Sequence, residues 1–316
     1  MVHLATQTLA AIEAQIAGDQ GAKFRGFLGQ VMPHMKDAYR TDADGFRTHM
    51  GASLIGGECG RAIWYGFHWA TKGNFPGRVL RLFNRGHQEE ARMIACLLAI
   101  DCQVYQQDEK GNQFRISDVG GHFGGSGDGV AIGIPDLPPG TAALLEFKTH
   151  NDSSFKKLVS EGVRSAKFEH FVQMQVYLRK MGLAAALYLA VNKNNDELYG
   201  EIIMLESNVG DEFVNRARTI IMMKEAPERI SKSPGFFKCK WCDHHPICHK
   251  KAMPEVNCRT CKHSEPKEDG KWWCNNEQRQ MELLFPAQNP YNEDFTLSKQ
   301  RQEVACPKWT PNDTFG

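Results

Sequence analysis

Apolar and polar positions in the first hundred residues recur mostly at helical spacing. Residues 1–50 predict two short helices and then a turn-rich stretch, DADGFRTHMGAS (42–53). In GECGRAIWYGFHW (57–69), Ile63, Phe67 and the neighbouring aromatics share a helix face. NRGHQEEARMIACLLAI (84–100) predicts a stronger helix with acidic residues in its first turn. From 103 to about 148 the pattern becomes strand-like, broken by turns at Glu109–Asn112, Gly120–Gly121 and Pro135–Gly140. Helices return at 153–160 and 165–182, followed by an apolar strand at 184–191, a turn at Asn192–Glu197, a strand at 198–204 and a helix at 208–224. This order predicts an α/β fold. After Pro234–Gly235 the periodicity fades and Cys, Trp, His and Lys take over, which marks the end of the α/β body and the start of a metal-stapled C-terminal part.

Composition narrows the picture. At 316 residues, with roughly 150 per domain, about two domains are expected. The 41% hydrophobic and 24% charged content is that of a globular chain. Lys+Arg (38) and Asp+Glu (37) nearly cancel, which excludes a wholly basic nucleic-acid coat but leaves room for a local basic groove. The longest apolar runs, near 93–100 and 184–191, fall well short of the about 20 residues a membrane helix needs. The first residues, MVHLATQTLAAIEAQIAG, lack a basic region and carry Glu13 within the apolar periodicity, so they read as a helix rather than a signal peptide. A cytoplasmic protein with no membrane partner is expected. Of ten cysteines, eight fall into two sets of four with metal-ligand spacing, and in an intracellular chain such spacing favours metals over disulfides. Cys96 and Cys102 are left over as buried hydrophobes.

Two segments concentrate acid and base chemistry. GSGDGVAIGI (125–134) and ALLEFKTH (143–150) are apolar strands joined by PDLPPG, so they predict an antiparallel hairpin. Folding it about its turn brings Asp128 near Glu146 and Lys148, which lie two apart and so on one face. Such carboxylates form a hard-oxygen site for Mg²⁺ or Mn²⁺, with the Phe147 carbonyl able to complete the shell. The ion would activate water and polarise a phosphoryl oxygen. Lys148 would orient the water or help to deprotonate it, and offset phosphate charge. Asp136 also precedes Glu146, but it sits in the turn, some 25 Å from the hairpin's open end.

The order Asp128, then Glu146-x-Lys148, resembles the active-site signature of the PD-(D/E)xK nuclease superfamily, although Gly127 stands where the family name has Pro. Gln173-x3-Tyr177 resembles the Gln-x3-Tyr motif of its RecB-like and lambda-exonuclease-like branches. Gly86-x3-Glu90 resembles the upstream helix that supplies a metal ligand there; Glu90 fits the spacing, with His87 and Glu89 as neighbouring alternatives. The resemblance implies a restriction-endonuclease-like core, a central mixed sheet flanked by helices. It also implies that Gln173 holds the attacking water or the DNA backbone, supported by Tyr177. Thr149, Lys156, Lys157, Arg164 and Lys167 would line a phosphate track.

Cys239-x2-Cys242-x5-Cys248 supplies three thiolates, and on spacing alone His244, His245 or His249 could complete a zinc site. The pattern, with Cys59 upstream, also resembles the iron–sulfur subset of the superfamily, which includes the CRISPR-adaptation exonucleases. That resemblance makes Cys59 the fourth ligand of a [4Fe–4S] cluster tying the two ends of the body together. Cys258-x2-Cys261-x12-Cys274, with Cys306, suits tetrahedral Zn²⁺ in a ribbon-like module, with His263 as the alternative to Cys306. Trp241, Trp272, Trp273 and Trp309 could stack on bases, but packing around the metal sites is the favoured reading.

The expected organisation is an N-terminal helical segment (1–50), a nuclease core closed by the cluster (51–250) and a zinc-binding module (251–316). The expected activity is metal-dependent DNA exonuclease action in recombination, repair or replication. GASLIGGECGRAIWY and EFKTHNDSSFKKL are similar to bacteriophage-encoded members, implying bacterial host cytoplasm and a single-strand-annealing recombinase or single-strand-binding protein as partner. The competing readings are a structure-specific endonuclease, a non-catalytic nucleic-acid-binding scaffold and an iron–sulfur redox sensor.

Overall fold

The computed structural model describes residues 2–35, 39, 46–276 and 297–315. The opening of the expected turn-rich stretch, 42–45, lies outside the described residues. The chain divides into two compact units that alternate along the sequence: 1–41, 75–116 and 125–213 in one, and 42–74, 117–124 and 214–316 in the other.

In chain order the helices are α1 (Thr6–Asp19), α2 (Ala22–Val31), α3 (Gly60–Phe67), α4 (Gly77–Ala99), α5 (Asp152–Ala166), α6 (Phe168–Met181), α7 (Ser207–Met222), α8 (Phe237–Lys240) and α9 (His245–Lys250), with a further short helix at Lys299–Glu303. The strands are β1 (Met50–Gly51), β2 (Gln103–Tyr105), β3 (Arg115–Asp118), β4 (Phe123–Ser126), β5 (Gly129–Ile132), β6 (Ala142–His150), β7 (Ala185–Asn192), β8 (Leu198–Met204), β9 (Ser264–Pro266) and β10 (Trp272–Cys274).

The first unit is built on a mixed five-stranded sheet of order β2-β5-β6-β7-β8. Its strands pair antiparallel except β6 and β7, which run parallel. In β6 the residues Ala143, Leu145 and Phe147 point to one face and join Leu187 and Leu189 of β7 beneath Ile94 and Leu97 of α4 and Ile12 of α1. Fully burying such a Leu or Ile contributes about 1.5–3 kcal/mol, so this face fixes the register of β6. The other face carries Leu144, Glu146, Lys148 and His150, and there α5 and α6 pack. A period of two therefore sends the charged members of ALLEFKTH away from the main core and beneath α6.

Two expectations need correction. The segment 125–134 is not one strand: β4 ends at Ser126 and its Phe123 and Gly124 pair in parallel with Met50 and Gly51 of β1, while β5 starts anew at Gly129. The reason is Gly129, whose φ of 152° suits glycine and whose added Cβ would sit 2.8 Å from the Tyr105 carbonyl oxygen. The helix expected at 84–100 begins earlier, at Gly77, with Pro76 as its N-cap.

The second unit packs aromatic side chains around one buried cation. Trp64, Tyr65 and Phe67 of α3 are buried. The Arg259 guanidinium, 3% exposed, lies 3.8 Å from the Trp69 ring centroid and 4.6 Å from that of Trp272. It donates to the Phe67 and Thr48 carbonyls and to the Gln302 amide oxygen, and burial holds its pKa well below the usual guanidinium value. Strands β9 and β10 form an antiparallel hairpin beside it in sequence.

Candidate active site

Asp128 precedes β5, and the β5–β6 register carries it to the start of the Glu146–Lys148 segment. Its Oδ2 accepts the Phe147 backbone N–H at 2.8 Å. Glu146 is 1% exposed, pairs through Oε1 with the Lys148 ammonium, and accepts from Gln173 Nε2 at 3.0 Å through Oε2. Four residues along α6, the Tyr177 hydroxyl donates to the Ser126 carbonyl at 2.9 Å and so ties down the loop that presents Asp128. Glu90 projects from α4, with His87 Nδ1 4.0 Å from its carboxylate.

These groups share one electrostatic field. Burial raises the Glu90 pKa to about 8, with Asp128 and Glu146 adding to it and Lys148 opposing. Burial likewise lifts Glu146 to about 7 against the pull of Lys148, and raises Asp128. At Lys148 burial works against the ammonium, but Glu146 and Asp128 together outweigh it and its pKa rises. Lys148 is therefore a cation and not a base in this state. Of the upstream alternatives, Glu89 is engaged elsewhere, 3.4 Å from Arg92 and 3.8 Å from Arg85. Asp136 has a structural post: its carboxylate accepts the Gln7 and Thr8 backbone N–H groups, at 3.0 and 2.7 Å, and caps α1.

Among the described residues, no group of three or more His, Cys, Asp or Glu side chains forms a metal-holding set. The fit of the carboxylates to a divalent cation is one of chemistry: oxygen donors, buried, with more carboxyl groups than one ammonium can hold ionised, so their pKa values are raised. Protein donors occupy their oxygens instead, Phe147 N–H at Asp128 and Gln173 at Glu146.

The expected phosphate track is only partly open. Lys156 pairs with Asp152 at 2.8 Å, Lys157 lies 3.8 Å from Glu161, and Arg164 pairs with Glu206. Lys167 instead donates to Ser154 Oγ at 2.5 Å. From there a run of polar groups that the sequence did not suggest leads inward. Ser154 Oγ is 3.1 Å from His150 Nδ1, His150 Nε2 is 2.9 Å from the Tyr188 hydroxyl, and His170 Nδ1 is 3.0 Å from that hydroxyl. Tyr188 stands opposite Glu146 in the β6–β7 register. Burial, then Lys167 and Lys148, lowers His150 to about 4; burial, then Lys148 and His150, lowers His170 to about 3. Both imidazoles are neutral at pH 7. The parity of β6 could have flagged His150, but Tyr188 and His170 need the parallel register.

In the second unit Cys59, Cys239, Cys242 and Cys248 line one cavity of about 100 Å³, with His244, His245 and His249 also on its wall. Cys258, buried, has its thiol pushed up to about 12 by burial, with Arg301 opposing and Cys274, Cys261 and Cys306 adding to it. No disulfide joins any of the described cysteines. Thiolate donors gathered in fours suit iron–sulfur or zinc chemistry, although neither set is closed as a ligand shell. Trp272 is buried and the Trp309 indole donates to Asn257 O, so both serve packing, whereas Trp241 is 80% exposed.

No family model matches the chain, and no curated protein matches it. Among solved structures it is similar to SSO0001, at 14% identity over 71% of this chain and 93% of that one, with a TM-score of 0.39. It is also similar to LHK-Exo in complex with dAMP, at 13% identity over 55% of this chain and 86% of that one, with a TM-score of 0.39. The alkaline exonuclease LHK-Exo from Laribacter hongkongensis, in another structure, aligns at 14% identity over the same shares with a TM-score of 0.38. No helix among the described residues is long and apolar enough to cross a membrane.

Proposed function

We propose that this chain is a divalent-metal-dependent DNA exonuclease that hydrolyses phosphodiester bonds at DNA ends. The observation that carries the reading is the convergence of buried Asp128, Glu146 and Lys148 where β5 begins beside β6, Asp128 on the Phe147 N–H and Glu146 between Lys148 and Gln173, with Glu90 in the same field. A structural salt bridge needs one carboxylate per cation; surplus buried acid costs stability unless another cation uses it.

Glu90, Asp128, Glu146 and the Phe147 carbonyl would hold Mg²⁺ or Mn²⁺. When bound, the ion would supply water activation and charge stabilisation at phosphorus. Lys148, protonated, offers its ammonium to a phosphate oxygen. Gln173 fixes the rotamer of Glu146, and Tyr177 fixes the Asp128 loop through Ser126. In the reaction the water oxygen bonds to phosphorus as one P–O bond of the diester breaks; the water gives up a proton and the departing oxygen takes one up.

On the same reading, Cys59, Cys239, Cys242 and Cys248 hold a [4Fe–4S] cluster, supported by their shared cavity. Cys258, Cys261, Cys274 and Cys306 hold Zn²⁺, supported by the mutual influence of their thiols.

The test is end-labelled linear DNA beside closed circular DNA in Mn²⁺ or Mg²⁺, using anaerobically purified wild type and Lys148→Ala of equal iron and zinc content. The expected result is loss of linear DNA alone with wild type and none with the variant. Cutting of circles would move the reading to an endonuclease, and equal cleavage by both proteins would refute the assigned site.

A further inference from the structure

On the face of the sheet that carries Glu146 there is a second concavity, a cavity of about 440 Å³ lined by Tyr105, Phe114, Arg115, Val130, Lys180 and Leu183. Its place follows from register. Tyr105 pairs with Val130, and Val130 with Leu144, so all three side chains share a face with Glu146, two residues further along β6. Val130 likewise follows Asp128 by two residues, about 7 Å along the chain. From the other side, α6 runs from Gln173, bonded to Glu146, to Lys180 seven residues later, about 10 Å along the helix. The same strand and the same helix thus lead directly from the carboxylate cluster to this cavity.

Its chemistry is that of a nucleotide seat. Tyr105 is 46% exposed on edge strand β2, and its hydroxyl donates to Gln103 Oε1 at 3.0 Å, which holds the ring in place. Phe114 adds a second aromatic, half-buried, and its carbonyl accepts the Gly127 N–H at 3.0 Å, so it is anchored to the Asp128 loop. Arg115 and Lys180, both exposed, bring two cations. The carboxylate in the lining, Asp108, turns Oδ1 to the Lys110 and Asn112 backbone N–H groups, at 2.9 Å each. Exposed aromatic rings beside cations bind single-stranded nucleic acid by base stacking and phosphate attraction.

We propose that this cavity seats a nucleotide of single-stranded DNA next to the cleaved phosphodiester, its base on Tyr105 and Phe114 and its phosphate by Arg115 and Lys180. The inference rests on the nuclease reading for its position relative to the cut, and it makes the enzyme one that needs an unpaired base beside that bond. The probe is a set of short single-stranded oligonucleotides with 2-aminopurine walked inward from the end, bound to the full chain in EDTA so that no strand is cut.

Wild type should quench the fluorophore at one position. Tyr105→Ala, an exposed substitution, should lose that quenching and bind about 5- to 100-fold more weakly. Arg115→Gln with Lys180→Gln should weaken binding and flatten its salt dependence. Unchanged quenching and affinity in Tyr105→Ala would overturn the proposal, whatever the cleavage assay gives. Tyr105-dependent quenching by a protein that cuts no DNA would keep the nucleotide seat and remove the nuclease reading.

Discussion

The raised carboxylates weaken the metal-free fold as they ionise, whereas the lowered His150 and His170 strengthen it as pH rises, so the Glu146 contribution is read as the difference between wild type and Glu146→Gln. Glu146 titrates near 4.5 in an unfolded chain and at about 7 when folded. Between those values the unfolded chain has lost a proton that the folded chain keeps, so stability falls with rising pH. The contribution is complete below pH 4.5 and lost as pH passes 7. At 1.36 kcal/mol per unit the span comes to about 3 kcal/mol from this one group. Glu90 and Asp128 titrate in the same field, so the three contributions do not add independently. The pull of Lys148 on Glu146 is already contained in the Glu146 pKa and is not counted again. The assay is urea unfolding in EDTA from pH 5 to 8, read by hydrogen exchange of the β6 and β7 amides so that the first unit reports alone. The stability of wild type relative to the variant should fall by about 2.5 kcal/mol over the range, because part of the span lies below pH 5 and the opposing contributions of His150 and His170 are common to both proteins. Added Mn²⁺ should shrink that fall as ligand protons are displaced. Parallel profiles for the two proteins in EDTA would refute the argument.

Three further outcomes follow from single contacts. Gln173→Met removes the N–H held by Glu146 Oε2, so kcat/KM on linear DNA should fall about 10- to 100-fold while oligonucleotide binding in EDTA stays unchanged. Arg259→Met strips donors from the Phe67 and Thr48 carbonyls and from Gln302, and should cost about 3 kcal/mol or more in a denaturant melt. Arg259→Lys should not rescue it, because an ammonium cannot reproduce the flat fork over Trp69. Gly129→Ala places a Cβ against the Tyr105 carbonyl at φ 152° and should cost about 1–3 kcal/mol, seen as a lowered melting temperature.

The sequence determined what period and spacing can carry. ALLEFKTH, alternating by two, puts Glu146 and Lys148 on one face, and the turn 135–140 returns the chain so that Asp128 meets them. The helices flanking the sheet and the all-buried strand β7 were legible for the same reason, because burial on one or both faces writes itself into local pattern. Spacing likewise grouped Cys239, Cys242 and Cys248, but that Cys59 lines the same cavity is a property of the folded second unit.

Tertiary structure alone decided the rest. The break at Gly127–Gly129, which sends β4 to β1 and frees Asp128, depends on how close the Tyr105 carbonyl comes. The parallel β6–β7 register sets Tyr188 opposite Glu146 and gathers His150 and His170 around its hydroxyl. The choice of Glu90 over Glu89 as the group in the common field depends on how α4 is rotated where it packs on the sheet. Local sequence encodes which face a residue takes, whereas long-range registers and the electrostatic fields they create arise only when distant segments are packed together.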